Sequence, residues 1–367
     1  MSVCIIGKNL TALMLSKILI NKGIRVDLFY QESNNIVNLK KNYTRTLGLS
    51  NYSTKFLSTQ KISLNKYLWK VKEIDLFRKK NSVKFLNFSD EENCFSIISY
   101  NIFYNLLKKS LKQKKLYLEK KQKKNFFKEL INNHKYEIII NTEKSNILFR
   151  KFFSNQLKKD YESVGFTTII KHNKITNNTA QQYFTSYGPL AFLPLSNFQT
   201  SVVFSVFDKA VQTSEKKVEQ IIKDINTKYK IKSLKKFEQF PISLSLSRNY
   251  FHKKFLMFGD GLHKIHPIAG QGFNMTIRDA SVLSNLIKDN LDLGLSLDNV
   301  LKKFEKERKK TNFLFATGVD FFHEFFKFTD KYDISSIDKV FNFINQNKYI
   351  KSKLKNYADK GISPNLL

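Results

Sequence analysis

FLMFGDGLHKIHPIAGQGFNMTIRDASVLSNLIK, residues 255–288, passes from strand to loop to helix. Phe255-Leu256-Met257-Phe258 is a continuous apolar run, as a buried strand requires. Gly259-Asp260-Gly261 then turns the chain with no side-chain bulk at either glycine. His263, His266 and Pro267 lead into Ala269-Gly270-Gln271-Gly272. Beyond them Ile277, Ala280, Leu283, Leu286 and Ile287 recur at i, i+3 and i+4, the apolar stripe of a helix. The orphan N–H groups and the dipole at such a helix start favour an anion. Asp260, at a strand end, can accept hydrogen bonds from sugar or polyol hydroxyls. Together these suit a nucleotide. For Gly-Asp alone, a turn without a ligand is the better reading.

The N-terminus supplies a second nucleotide-like unit. Val3-Cys4-Ile5-Ile6 is a buried strand, and Leu10, Leu13, Met14, Ile18 and Leu19 mark a helix that Gly23 stops. Arg25–Tyr30 is a second strand, giving the layout of a dinucleotide-binding βαβ unit. Its G-x-G-x-x-G fingerprint retains only Gly7, with Asn9 and Ala12 in the other two places. Ala12 is a mild change, because the third glycine serves helix–strand packing. Asn9 puts a side chain where the backbone should approach a pyrophosphate, although Asn tolerates positive φ. Tyr30 stands where an acid is expected, with Glu32 two residues on.

Further along, Tyr100–Lys114 reads as an amphipathic helix with Ile102, Leu106, Leu107 and Leu111, and Tyr136–Ile140 as a strand. Gln182–Phe184, Gly188–Leu195, Ser201–Val206 and the alternating Ile242–Ser247 read as strands of an antiparallel sheet. In Ile242–Ser247 one face is expected to be apolar and the other polar. Val218, Ile221, Ile222, Ile225 and Tyr229 mark a helix between them.

The chain has 367 residues, 42% hydrophobic, with a net charge of +32. The charge is spread over the whole sequence beside abundant Asn, Ile, Phe and Tyr, the signature of biased composition more than of a nucleic-acid surface. Two cysteines, Cys4 and Cys94, exclude a disulfide scaffold or a Cys-based zinc site, and a reducing, cytoplasmic setting is expected. No apolar run reaches the ~18 residues of a membrane span, and no signal peptide is read, so a soluble or peripheral protein is expected.

The string Gly-Asp-x-x-His-x-x-His-Pro-x-x-Gly-Gln-Gly-x-Asn-x-x-x-x-Asp, residues 259–279, resembles the second FAD motif of the aromatic-ring hydroxylases, the group A flavin monooxygenases. Within that group, HPIAGQGFN followed by IRDASVL is most similar to the ubiquinone-biosynthesis hydroxylases. The resemblance implies an α/β fold, in which a Rossmann-like FAD-binding domain interleaves with an antiparallel-sheet substrate domain and C-terminal helices follow. The implied division is 1–70, 98–162 and 250–300 for FAD, 71–97 and 163–249 for substrate, and 301–367 for the helical region. Carried over residue by residue, cofactor contacts fall on Gly7, Asn9, Ala12, Arg45, Gly259, Asp260, Pro267, Gly270, Gln271, Gly272 and Asn274. His266 and Pro267 sit in the loop near the flavin, and no separate catalytic residue or metal site is implied.

The implied reaction is hydroxylation of a polyprenylated phenol with O2, the flavin being reduced by NAD(P)H or another electron donor. Asn141–Asn146 with Arg150 replaces an Asp-Gly motif that the family uses for pyrophosphate and nicotinamide; Glu143 keeps a charge, Lys144 does not keep backbone freedom. Rival readings are a prenyl reductase on the same fold and a non-catalytic, weakly flavin-binding scaffold subunit of a quinone-synthesis assembly. A halogenase needs two tryptophans around Ile-Pro, and only Trp69 is present. Leu301–Phe328, with basic residues Lys302–Lys310 and many phenylalanines, leaves two readings open: a docking helix with core aromatics, or a surface resting peripherally on the anionic inner membrane.

Overall fold

The computed structural model describes residues 2–31, 44–78, 83–123, 126–132, 135–267, 270–332 and 336–362; Glu32 and Ala269 lie outside the described residues. The chain opens with β1 (Ser2–Ile6), α1 (Leu10–Asn21) and β2 (Arg25–Tyr30). There follow β3 (Thr46–Leu49), α2 (Asn51–Thr59), β4 (Trp69–Val71), β5 (Glu73–Arg78), β6 (Val83–Ser89) and β7 (Phe95–Ser99). Next come α3 (Tyr100–Leu111), β8 (Tyr117–Lys121), α4 (Phe126–Asn132) and β9 (Ile139–Asn141). The middle of the chain holds β10 (Gln156–His172), β11 (Thr179–Thr185), β12 (Gly188–Ser196), β13 (Gln199–Val206), α5 (Lys209–Gln212), α6 (Glu215–Ile225), β14 (Ile231–Leu234) and β15 (Glu238–Ser247). It ends with β16 (Phe251–His252), β17 (Phe255–Met257), β18 (His263–Lys264), α7 (Gln271–Asp292), α8 (Val300–Tyr332), α9 (Ser336–Gln346) and α10 (Lys348–Lys360).

The first sheet runs β16-β17-β9-β1-β2-β8, parallel throughout except for β16 on β17. This is a doubly wound order, with its switch point between β1 and β9, where ligands of such sheets bind. Val3, Cys4, Ile5 and Ile6 are fully buried, as a central parallel strand covered on both faces demands. Each such side chain contributes about 1.5–3 kcal/mol by leaving water. α1 is buried from Leu10 to Ile20, packing against α3 and α7. The second sheet runs β18-β15-β10-β13-β12-β11-β5-β6, with β14 on β10. It is antiparallel except at β11, which lies parallel to β5. β3, β7 and β4 form a small third sheet.

Three local readings are corrected. Ile102 is exposed, and the buried face of α3 is Phe103, Tyr104, Leu107 and Leu111. Tyr229 lies beyond the end of α6 at Ile225. The serine face of β15 is not solvated: Ser245 and Ser247 are buried where the two large sheets meet. Of the phenylalanines on α8, Phe304, Phe315 and Phe326 are core, while Phe313, Phe321, Phe322 and Phe328 are exposed.

Candidate flavin site

α7 begins where β3 crosses it. Gly270 precedes the helix with φ 62°, a left-handed conformation that costs a side-chain-bearing residue energy. Its backbone lies against Gly48: a Cβ on Gly270 would come 3.4 Å from the Gly48 nitrogen. Asn274, one turn into the helix and buried, holds this crossing together. Its Nδ2 donates to the carbonyls of Gly48 (2.9 Å) and Gly270 (3.3 Å), and its Oδ1 accepts from the Ser50 N–H (3.0 Å). Gln271 starts the helix with its Oε1 buried and, among the described residues, without a hydrogen-bond partner. Gly272 leaves open space, the nearest atom to an added Cβ being Ile265 Cγ1 at 3.7 Å.

A second group gathers at the start of α1. The Tyr100 hydroxyl faces the Leu10 N–H, and its ring carries the Arg45 guanidinium 4.9 Å from the centroid. Burial raises the Tyr100 pKa; Arg45 opposes that and Asp260 adds to it. Tyr100 thus marks where the α1 N-terminus, exposed Arg45 and exposed Asp260 converge. Gly259 has φ 67° and packs on Thr11. Gly7 has φ 119°, and a Cβ there would come 2.3 Å from Thr142 Oγ1.

Asn9 does something the sequence did not disclose. It is the N-cap of α1, its Oδ1 accepting from the Ala12 N–H (3.0 Å). Its Nδ2 donates across the switch point to the Thr142 carbonyl (2.9 Å) and Oγ1 (3.1 Å). One donor that an anion could use at this helix start is therefore already satisfied. Ala12 is fully buried, as helix–strand packing requires. Tyr30 carries the Lys8 ammonium over its ring at 3.9 Å, and Lys8 is salt-bridged to Glu119 on β8. Glu119 places a carboxylate on the strand beside β2, where the sequence offered Tyr30 and, two residues on, Glu32. Within a lysine-rich strand it gave no signal.

The donor set fits a flavin dinucleotide: a glycine-lined helix start with Arg45 for an anion, Asp260 for hydroxyls, and a glycine-flanked turn with a buried, orphaned carboxamide oxygen for a polar ring edge. Among the described residues no cluster of His, Cys, Asp and Glu could hold a metal ion.

His263 and His266 part company. His263 Nε2 bonds Asp279 Oδ2 at 2.6 Å, in a buried network with Arg308 and Asn312 that joins α7 to α8. Burial pushes the Asp279 carboxyl up, but Arg308 and His263 outweigh it and hold it at about 2. His266 instead stacks on His323 of α8, with ring centroids 4.0 Å apart and Tyr161 edge-on to both. Burial lowers His266 to about 2, helped by His323, and lowers His323 to about 4. Both are neutral at pH 7, whereas unfolded imidazoles take up protons below about pH 6.5. Stability is therefore full above pH 6.5 and falls as pH drops from there towards the folded values. Denaturant titrations should show a loss on the order of 2–4 kcal/mol between pH 6.5 and 4. His323→Phe should flatten that slope; an unchanged slope would mean that the stacked pair does not set it.

Residues 135–312 match the family described as FAD binding domain. Among curated proteins, the chain is 24% identical over 208 residues to ubiquinone biosynthesis monooxygenase COQ6, mitochondrial, of Danio rerio, covering 45% of this chain and 43% of that one. It is 28% identical over 149 residues to 3-demethoxyubiquinol 3-hydroxylase of Escherichia coli, covering 39% and 38%. The matched segments thus span about two fifths of these relatives' length. Among solved structures, p-nitrophenol 4-monooxygenase PnpA from Pseudomonas putida superposes with a TM-score of 0.78 at 11% identity, covering 99% of this chain and 98% of that one. HpxO of Klebsiella pneumoniae, complexed with FAD and uric acid, gives 0.69 at 11% identity over 98% and 96%. Residues 135–312 thus match the FAD binding domain family, and the chain shares the fold of p-nitrophenol 4-monooxygenase PnpA and of HpxO.

Proposed function

We propose that the chain is an FAD-dependent monooxygenase that hydroxylates the aromatic ring of a polyprenylated phenol in ubiquinone biosynthesis. The observation that carries this is the clamp of Asn274 on Gly48, Ser50 and Gly270, which fixes the Gly270-Gln271-Gly272 turn against β3. The ubiquinone-biosynthesis names of the relatives supply the substrate class. Arg45 and the N–H groups before α1 would hold the pyrophosphate, Asp260 the ribityl hydroxyls, and the Gln271–Gly272 amides the ring edge. When bound and reduced, the flavin supplies activation of O2 and transfer of one oxygen atom to the ring. The chain's own task is to orient the phenol and exclude water, which the apolar residues of β11–β13 beside the cofactor-binding half suit. Purified protein should show flavin absorbance, and labelled O2 should appear in a hydroxylated product. Flavin-bearing protein that reduces a prenyl chain without label would instead support the reductase.

A second reading has its own observation. Asn9 and Thr142 bridge the switch point, which favours a weakened flavin site and a scaffold role in a quinone-synthesis assembly. Colourless protein that takes up no added FAD would decide for it. Exposed Phe313, Phe321 and Phe328, spaced at 8 and 7 residues on α8 beside exposed Lys306 and Lys310, favour peripheral contact with an anionic membrane. Among the described residues no helix is long and apolar enough to cross one. Flotation with anionic vesicles tests this, and protein left wholly in the pellet would exclude it.

A further inference from the structure

The N–H groups at the start of α1, which the flavin reading assigns to the pyrophosphate, already face oxygen atoms of this chain. The Ala12 N–H donates to Asn9 Oδ1 (3.0 Å), and the Leu10 N–H faces the Tyr100 hydroxyl. The Lys8 N–H donates to the carboxylate of Glu143, in the loop after β9. Of these acceptors only Glu143 is a carboxylate.

The loop holds Glu143 in that place. Asn141 Oδ1 accepts from the Glu143 N–H (3.2 Å), and Asn141 Nδ2 donates to the Glu143 carbonyl (3.0 Å) and to Asn146 Oδ1 (3.1 Å). With its backbone fixed at both groups, the side chain lies across Gly7. A Cβ on Gly7 would come 3.0 Å from Glu143 Cγ and 3.2 Å from its Oε1. A glycine-rich turn at this point of a βαβ unit lets a pyrophosphate approach the backbone. Here a carboxylate fills the approach. The two lysines beside it are engaged elsewhere: Lys8 is salt-bridged to Glu119, and Lys144 donates to Ser245 Oγ (3.1 Å). Burial raises the Glu143 pKa and the Lys8 N–H opposes that, so a backbone donor holds the charge. A helix start offers roughly half a positive charge, and two anions sharing it repel each other.

We propose that Glu143 is an internal competitor for the cofactor's diphosphate, and so sets how strongly the chain prefers flavin dinucleotide over a flavin without phosphate. The dinucleotide binds only as the Glu143 side chain leaves Gly7 and releases the Lys8 N–H. A bare flavin at the Gln271 turn makes no such demand. The charge that the sequence retains at Glu143 thus opposes the phosphates. This assignment rests on the flavin reading above.

The test titrates the flavin-free full chain with FAD, riboflavin and inorganic pyrophosphate, followed by flavin fluorescence and by calorimetry. E143A should bind FAD and pyrophosphate roughly tenfold more tightly than the parent, because no charge-assisted hydrogen bond has to break first. Riboflavin affinity should not change. E143Q keeps an acceptor for the Lys8 N–H but loses the charge, and should fall between. Thermal melts check that both variants fold; if E143A does not, E143Q decides alone. FAD and pyrophosphate binding no tighter than the parent's overturns the proposal, as does riboflavin binding that tightens in step with FAD. If pyrophosphate binds and tightens in the variants while neither flavin binds any of the three proteins, the flavin reading fails and the competition for a diphosphate stands. If neither FAD nor pyrophosphate binds the variants, both are overturned.

Discussion

Asp279→Ala should unfold at far lower denaturant than the parent, losing about 3–5 kcal/mol of stability. The carboxylate is fully buried and takes Arg308 Nε on one oxygen (2.6 Å), His263 Nε2 on the other (2.6 Å) and Asn312 Nδ2 on both. Removing it strands a guanidinium that is only 7% exposed, which is the costly way to break a buried pair. Asp279→Asn keeps the shape but not the charge and should lose less. Because the carboxyl is held at about 2, its contribution is complete above the unfolded value near 4 and disappears as pH falls from there through 2. Guanidinium titrations at pH 7 measure the effect; a loss under about 1 kcal/mol would show that Arg308 finds water on its own.

The second large effect should come from Asn274→Leu, which is close in size but can make none of the three hydrogen bonds to Gly48, Ser50 and Gly270. Each buried backbone group left without a partner costs about 1–3 kcal/mol. Some relief will come from local relaxation, so a net loss of roughly 2–5 kcal/mol is expected, with flavin affinity down about a hundredfold as the turn separates from β3. Gly272→Ala separates the two consequences. Its added methyl meets nothing tighter than Ile265 at 3.7 Å, and alanine suits a helix better than glycine, so stability should hold or rise. A flavin resting on that turn would nonetheless be displaced, and its dissociation constant should rise. Unchanged flavin affinity in both variants would remove the cofactor from this turn.

The local elements of the fold were readable because the signals lie within one element. The apolar run of β17 and the 3.6-residue stripe of α7 needed no knowledge of the rest of the chain. What could not be read is what crosses between elements. Asn274 looks like a ligand-facing polar residue, yet its amide meets backbone 226 residues away. Asn9 looks like an obstruction, yet it caps its helix and ties two strands. The serines of β15 alternate as a solvated face would, but β9's loop and β18 cover them. On α8, eight phenylalanines share one helix, and only the positions of the neighbouring elements decide which are core. Lys144, read as a lost glycine, acquires a partner only when Ser245, 101 residues away, is placed beside it.

The end of α10 docks far from its neighbours in sequence. Ser50 Oγ donates to the Asp359 carbonyl (2.9 Å), and the Tyr52 N–H donates to Asp359 Oδ1 (2.8 Å), at the start of α2 and one residue beyond β3. These contacts join positions 309 and 307 residues apart. At translation speeds of about 5–20 residues per second, Ser50 waits roughly 15–60 s on the ribosome before Asp359 is even made. Until then Ser50 and Tyr52 lack these two partners, and a stop codon upstream of Asp359 would leave the start of α2 permanently without them.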